Sequence, residues 1–132
     1  MATPIFLTLD EVLSLHADQI ERYDGGSGVR DMPLLGSALG MPQASMGGKY
    51  LHGTLAEMAA AYLFYIARNH PFVDGNTRRA LMTTLIFLGL NGRSLEARGD
   101  ELADLVLGVA AGKVSKAQTG VFIERYSRPR RG

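Results

Sequence analysis

His70-Pro71-Phe72-Val73-Asp74-Gly75-Asn76-Thr77-Arg78 lies where one apolar helical pattern stops and another begins. Upstream, Thr54-Leu55-Ala56-Glu57 has the form of a capping box, and Met58, Ala59, Tyr62, Leu63 and Ile66 continue at helical spacing to Asn69. Nearly every face of that segment is apolar, which predicts a buried central helix. Pro71 bars helical continuation at the end of it. Downstream, Leu81, Leu85 and Leu88 mark a helix that starts within the quoted stretch and stops at Asn91-Gly92. A turn that feeds a helix N-terminus presents backbone N–H groups to an anion. This one adds an imidazole, a carboxylate, a glycine and a guanidinium. Taken singly, each residue reads as a cap, a turn or a surface charge; their ordered combination points to phosphate chemistry.

The rest of the chain is also helical in pattern. Thr8 and Glu11 form a capping box before Leu9, Val12, Leu13, His16 and Ile20, and Gly25-Gly26 stops that helix. His16 falls on the apolar stripe, so it reads as a packed, hydrogen-bonded core histidine. Asp31 is placed to cap a second helix that ends before Pro42. From Pro42 to Gly53 runs a loop too glycine-rich for a helix, carrying Gly47, Gly48, Lys49, Tyr50 and His52. Asp100 is placed to cap a fifth helix closed by Gly112, and Ser115-Lys116-Ala117-Gln118 is a third capping box that opens the last helix. The prediction is an all-α fold, a compact bundle of about six helices with the motif loop leading from the central helix into the next. Residues 1–126 form its single domain, and 127–132 are read as a basic, disordered tail.

The chain has 132 residues, enough for a core without disulfide or metal staples, and no cysteine, which excludes thiol chemistry and suits a reducing cytosol. No basic n-region leads into an apolar stretch, and the longest apolar run is too short to span a bilayer; the expectation is a cytoplasmic protein without a membrane association. The net charge is +1, and three of the fourteen cationic residues, Arg128, Arg130 and Arg131, crowd the C-terminus. The remainder is slightly acidic, which argues against direct nucleic-acid binding.

The quoted stretch resembles the Fic/Doc signature, His-x-Phe-x-Asp/Glu-Gly/Ala-Asn-x-Arg, at His70, Phe72, Asp74, Gly75, Asn76 and Arg78. The likeness extends over roughly residues 5 to 126, with Leu15-His16-Ala17-Asp18, Arg22-Tyr23 and Leu88-Gly89-Leu90-Asn91-Gly92 as flanks, and the chain has the size of the short death-on-curing (Doc) toxins. The resemblance implies ATP and Mg2+ as cofactors. His70 would take the proton from an incoming hydroxyl, the one step of phosphoryl transfer that benefits from a base. Asp74 supplies a hard oxygen for magnesium. Arg78 offers a planar grip on phosphate oxygens. Phe72, Gly75, Asn76 and Thr77 complete the implied phosphate-binding set: Phe72 as an apolar anchor, Gly75 for close backbone approach, Asn76 to bond phosphate or to fix the turn.

Two departures from the family separate its reactions. The adenylyl-transferring branch carries Gly at position 77 and a second Arg eleven residues after its His; Thr77 and Leu81 stand there. Loss of that Arg implies the Doc outcome, transfer of the γ-phosphate of ATP to a hydroxyl of elongation factor Tu, arresting translation. The Doc branch typically reads Asn-Lys-Arg-Thr, against Asn76-Thr77-Arg78-Arg79 here. The missing Lys implies reduced or altered catalysis, and Arg79 points about 200° around the helix axis from position 77. An AMP or other nucleotidyl transferase and a catalytically weakened binding module stay open as alternatives. The resemblance further implies a small antitoxin whose C-terminal segment docks as a helix. Met46, Lys49, Tyr50 and His52, in the loop that flanks the active site in the family, are the expected target- and partner-binding residues. Met41, Met46 and Tyr50, with the first two helices, would form the antitoxin's groove.

Overall fold

A computed structural model of the chain describes residues 3–16 and 28–130. Its described residues hold six α-helices: α1 (Leu9–Leu15), α2 (Met32–Gly40), α3 (Leu55–Asn69), α4 (Asn76–Leu90), α5 (Gly99–Ala110) and α6 (Lys116–Tyr126). The all-α expectation is met. α3 is the central helix, buried at Ala59, Ala60, Ala61, Tyr62, Leu63, Ile66 and Ala67, and it packs mainly against α4 and α6. Its run of alanines is why both neighbours approach closely: a methyl added at Gly120 of α6 would sit 3.8 Å from the Ala60 methyl. Tyr62, Phe87 and Phe6 form an aromatic column across this core. The Tyr62 hydroxyl accepts from the Leu7 N–H (3.0 Å) and so ties the N-terminal segment down. Burial pushes that hydroxyl's pKa up to about 12.

Most helix starts are those the sequence marks. Thr8 and Glu11 cap α1 reciprocally, at 3.1 and 3.0 Å, and Ser115 and Gln118 do the same for α6. The Asp31 carboxylate accepts from the Leu34 N–H. Thr54 caps α3, but the Glu57 carboxylate receives the Thr54 hydroxyl rather than a backbone N–H, so only half of that capping box forms. The fifth helix departs from expectation: its N-cap is Arg98, and Asp100 lies inside the first turn, where it accepts from the Glu101 N–H. Glu101 reaches back to the Arg98 N–H, and the Arg98 guanidinium pairs with both carboxylates. α1 ends at Leu15; Ile20 and Gly25-Gly26, expected to continue and stop it, lie outside the described residues.

Two small ribbons were not visible in the helical periodicity. After a single 3-10 turn at Met41–Gln43, which takes in Pro42, strands β1 (Ser45–Met46) and β2 (Lys49–Tyr50) pair as a hairpin. Gly47 and Gly48 both have positive φ, +60° and +80°, as the tightest hairpin turns require. The second ribbon corrects the reading of the C-terminus as a disordered tail beginning at Ser127. β3 (Arg93–Leu95) pairs antiparallel with β4 (Ser127–Pro129). Arg130 adds a backbone bond to the Gly92 carbonyl and a guanidinium bond to the Gly89 carbonyl at the end of α4. A basic run looks like a solvated terminus in sequence because its partners lie more than thirty residues away. Here its charge also meets the negative end of a helix.

Candidate active site

α3 ends at His70, the only non-glycine residue with positive φ among those described (φ 49°, ψ 55°). Pro71 disfavours the α conformation for the residue before it, and the left-handed turn lets the chain leave α3 sharply. The His70 side chain is exposed. The Arg30 guanidinium holds the end of the helix from outside, donating to the carbonyls of His70 (2.7 Å) and Asn69 (3.1 Å), where a cation complements the helix dipole. The N–H groups of Arg30 and Asp31 both reach the Pro71 carbonyl, Val29 bridges Phe72, and the Val73 N–H donates to the Gly28 carbonyl. Residues 28–31 thus splint the motif along its length. Arg30 was not singled out from the sequence, and no local pattern marks it: its partners are forty positions away.

Beyond this splint the motif folds back on itself. Both ends of the Asn76 amide are engaged by Phe72, accepting from its N–H (2.9 Å) and donating to its carbonyl (3.0 Å). Of the two roles open to Asn76, these bonds supply the turn. Phe72 is 1% exposed, so its ring is out of reach of a ligand. It is the apolar anchor, and its place in the phosphate-binding set is corrected. Asp74 and Arg78 are exposed, and Thr77 is half-buried in the first turn of α4. Gly75 is the N-cap of α4 at φ +68°, and the first turn contains no acidic residue. A methyl group on Gly75 would lie 3.2 Å from Arg78 Nη2 and 3.7 Å from Arg79 Nε. Two guanidinium groups therefore converge on this glycine.

The two differ in exposure. Arg79 is buried, lies over the Phe72 ring with its guanidinium carbon 4.7 Å from the centroid, and donates Nε–H to the Asp74 carbonyl (3.1 Å). It faces away from position 77, as helix geometry predicted. His16 packs edge-on against Phe72 (centroids 5.4 Å apart), and its Nε2 lies 3.4 Å from the Thr83 hydroxyl. Burial lowers its pKa to about 4, helped by the positive charges of Arg79 and Arg78. The core role expected of His16 is the one found, directly beneath the motif.

An exposed imidazole, an exposed carboxylate and an exposed guanidinium thus flank the positive end of a long helix, on a loop held from behind. That is an arrangement for binding and transferring an anionic group. The Fic/DOC family pattern matches residues 6–88. Over 116 residues the chain is 35% identical to "Protein kinase doc" of Escherichia phage P1, covering 88% of this chain and 90% of that protein. It is 36% identical over 113 residues to "Toxin Doc" of Mycolicibacterium smegmatis, covering 74% of this chain and 87% of that protein.

The chain belongs to the Fic/Doc family.

It is a Doc-type member, and its loop residues divide into two groups. Met46, Lys49 and Tyr50 share the hairpin, exposed. Tyr50 rests on Phe6 (5.6 Å), which stacks on Phe87, about 16 Å along α4 from Asn76 at the helical rise. The base of the hairpin therefore lies toward the far end of α4 from the motif. His52 does not join them. It is buried, with Nε2 3.0 Å from the Lys116 ammonium, on the wall of a cavity of about 880 Å3 between the 41–57 segment and α6. Its pKa is lowered by burial and by Lys116. Its assignment to a target-binding surface is replaced by a link between that segment and the start of α6.

The implied magnesium ion would find one carboxylate in the motif, that of Asp74. No group of three His, Asp or Glu is gathered to hold an ion among the described residues. This fits a magnesium bound through one protein oxygen with phosphate oxygens and water completing its shell, as that ion prefers. Nor is any helix among the described residues long and apolar enough to cross a membrane.

Proposed function

We propose that this chain is the toxin of a toxin–antitoxin pair and a protein kinase that transfers the γ-phosphate of ATP to a hydroxyl of elongation factor Tu. The observation that carries the reading is the placement of exposed His70 and Arg78 at the two ends of one immobilised loop, His70 where α3 ends and Arg78 in the first turn of α4. In the reaction, the target's hydroxyl oxygen forms a bond to the γ-phosphorus, and the bond from that phosphorus to the β,γ-bridging oxygen breaks, releasing ADP. The hydroxyl proton passes to the His70 imidazole. Arg78 grips phosphate oxygens with two N–H donors, aided by the positive end of α4. Asp74 would hold magnesium, which would supply neutralisation of phosphate charge when bound.

Leu81 packs against the core, so that position adds no second cation to grip the α- and β-phosphates. This favours γ-phosphoryl over nucleotidyl transfer. For the antitoxin helix, a groove of about 410 Å3 between α1 and α4, lined by Leu7, Leu15, Ile86 and Leu90 with Asp10 and Glu11 at its rim, replaces the surface expected from the first two helices with Met41, Met46 and Tyr50.

The test is incubation with elongation factor Tu and ATP labelled at either the γ- or the α-phosphate. Label from the γ position alone is expected, and none with His70→Ala, whose fold should persist because His70 ends a helix and is exposed. Label from the α position would replace this reading with nucleotidyl transfer, and no label from either with a binding module.

A further inference from the structure

We infer that Arg79 is a positioning residue for this site: lying over the Phe72 ring and bonded to the Asp74 carbonyl, it fixes the loop that carries Asp74 and Gly75 into α4. Arg79 is 1% exposed, so it acts on a ligand only through the groups it holds. Its Nε–H bond to the Asp74 carbonyl crosses the turn from inside the helix. Its backbone N–H closes the first helical bond, to the Gly75 carbonyl (2.9 Å). One residue therefore grips the two peptide units on either side of Gly75. The guanidinium carbon stands over the Phe72 ring, His16 packs edge-on against that ring, and His16 in turn meets Thr83 on α4.

The same placement has an electrostatic consequence. Thr77 brings no charge to the first turn of α4, whereas Arg79 brings a permanent one within 3.7 Å of where a Gly75 methyl would stand. Arg78 supplies charge in front of the turn and Arg79 behind it. The buried cation cannot replace a lysine's direct contact with phosphate, but it raises the potential at the same glycine while locking the geometry. Lys would be a poor substitute here, since a stacked, planar donor is what the Phe72 face accepts.

The ligand in this inference rests on the reading under Proposed function; the loop geometry does not. The experiment compares the full chain with Arg79→Lys, Phe72→Leu and the double variant. Hydrogen exchange is followed at residues 73–76 and in α3, alongside affinity for inorganic phosphate and for magnesium-ATP. Each single variant should speed exchange at residues 73–76 by about tenfold with α3 unchanged, and weaken phosphate affinity by about the same factor. The double variant should do little more than either, because both break one stack. Unchanged exchange in Arg79→Lys, loosening spread evenly through α3, or effects that simply add would each overturn the inference. If the parent chain transfers no phosphate yet the loop loosens and phosphate affinity falls as stated, the kinase reading fails and the positioning role stands. Should Arg79→Lys not fold, Phe72→Leu, which keeps an apolar anchor, decides the point by the same exchange measurement.

Discussion

Acid should unfold this protein earlier than its carboxylates alone require, and His16 is the reason. The ring is 3% exposed, lies 3.4 Å from the Thr83 hydroxyl and faces two guanidinium groups. Its pKa falls from the ordinary 6.5 to about 4. The unfolded chain thus protonates His16 below about pH 6.5 and the folded chain only below about pH 4. Between those values the unfolded state binds more protons, so stability falls as pH falls. The loss begins near 6.5, is complete near 4 and is absent at higher pH. When fully expressed, the gap is worth about 3 kcal/mol, a little under half of it gone at pH 5.5 and most of it at pH 4.5. Against a total stability of roughly 5–15 kcal/mol that is a large share.

The assay is urea unfolding at pH 7.5, 5.5 and 4.5 for the parent and for His16→Gln. Glutamine keeps an amide near Thr83 but does not titrate, so the carboxylate contribution is common to both and cancels in the difference. The parent should lose about 1 kcal/mol more than the variant by pH 5.5 and about 2–3 kcal/mol more in all by pH 4.5. Parallel pH profiles, or a His16 ring signal that titrates near 6.5 in the folded protein, would refute the reasoning.

Other perturbations read out the site and its supports. Gly75→Ala forces a left-handed conformation at a cost of about 1 kcal/mol and pushes on Arg78; calorimetry should show magnesium-ATP affinity down at least about tenfold with a small drop in melting temperature. Thr77→Lys adds a charge-assisted phosphate contact worth about 1.5–3 kcal/mol, so ATP should bind one to two orders of magnitude more tightly; no gain would mean a site built around Thr77. Truncation after Tyr126 removes β4 and the Arg130 bond to α4, and thermal melts should fall by several degrees for a loss of about 1–2 kcal/mol.

What the sequence made legible follows the range of the interactions. Caps at Thr8, Asp31 and Ser115 act over three residues, and each is found where the pattern places it. Apolar periodicity located the buried helix because burial of α3 repeats along one local element. The failures are long-range. The pairing of Leu95 with Ser127 and the clasp of Arg30 on His70 join segments with no shared periodicity. His52 falls in the same class: its glycine-rich surroundings suggested an exposed loop, yet Lys116 and a wall of α6 enclose it. At Asn76 the motif gave the residue, and only the distances to both polar atoms of Phe72 show that it fixes the turn.

The two classes of residue explain how an exposed site can also be a rigid one. The carbonyls of Asn69, His70, Pro71, Phe72, Asp74 and Gly75 all receive hydrogen bonds, from Arg30, Asp31, Asn76 and Arg79. A left-handed histidine is costly on its own and persists where its surroundings over-determine it. Here one arginine holds its carbonyl and another holds the loop four residues on. The side chains of His70, Asp74 and Arg78 are thereby left exposed while the loop that carries them is fixed by groups outside the signature or buried beneath it. Transfer of an anionic group gains most when donors are already in place and need no reorganisation. Substitutions at Arg30 or Arg79 should therefore resemble damage to the motif itself, although Arg79 is buried and the Arg30 guanidinium is engaged by the carbonyls of His70 and Asn69.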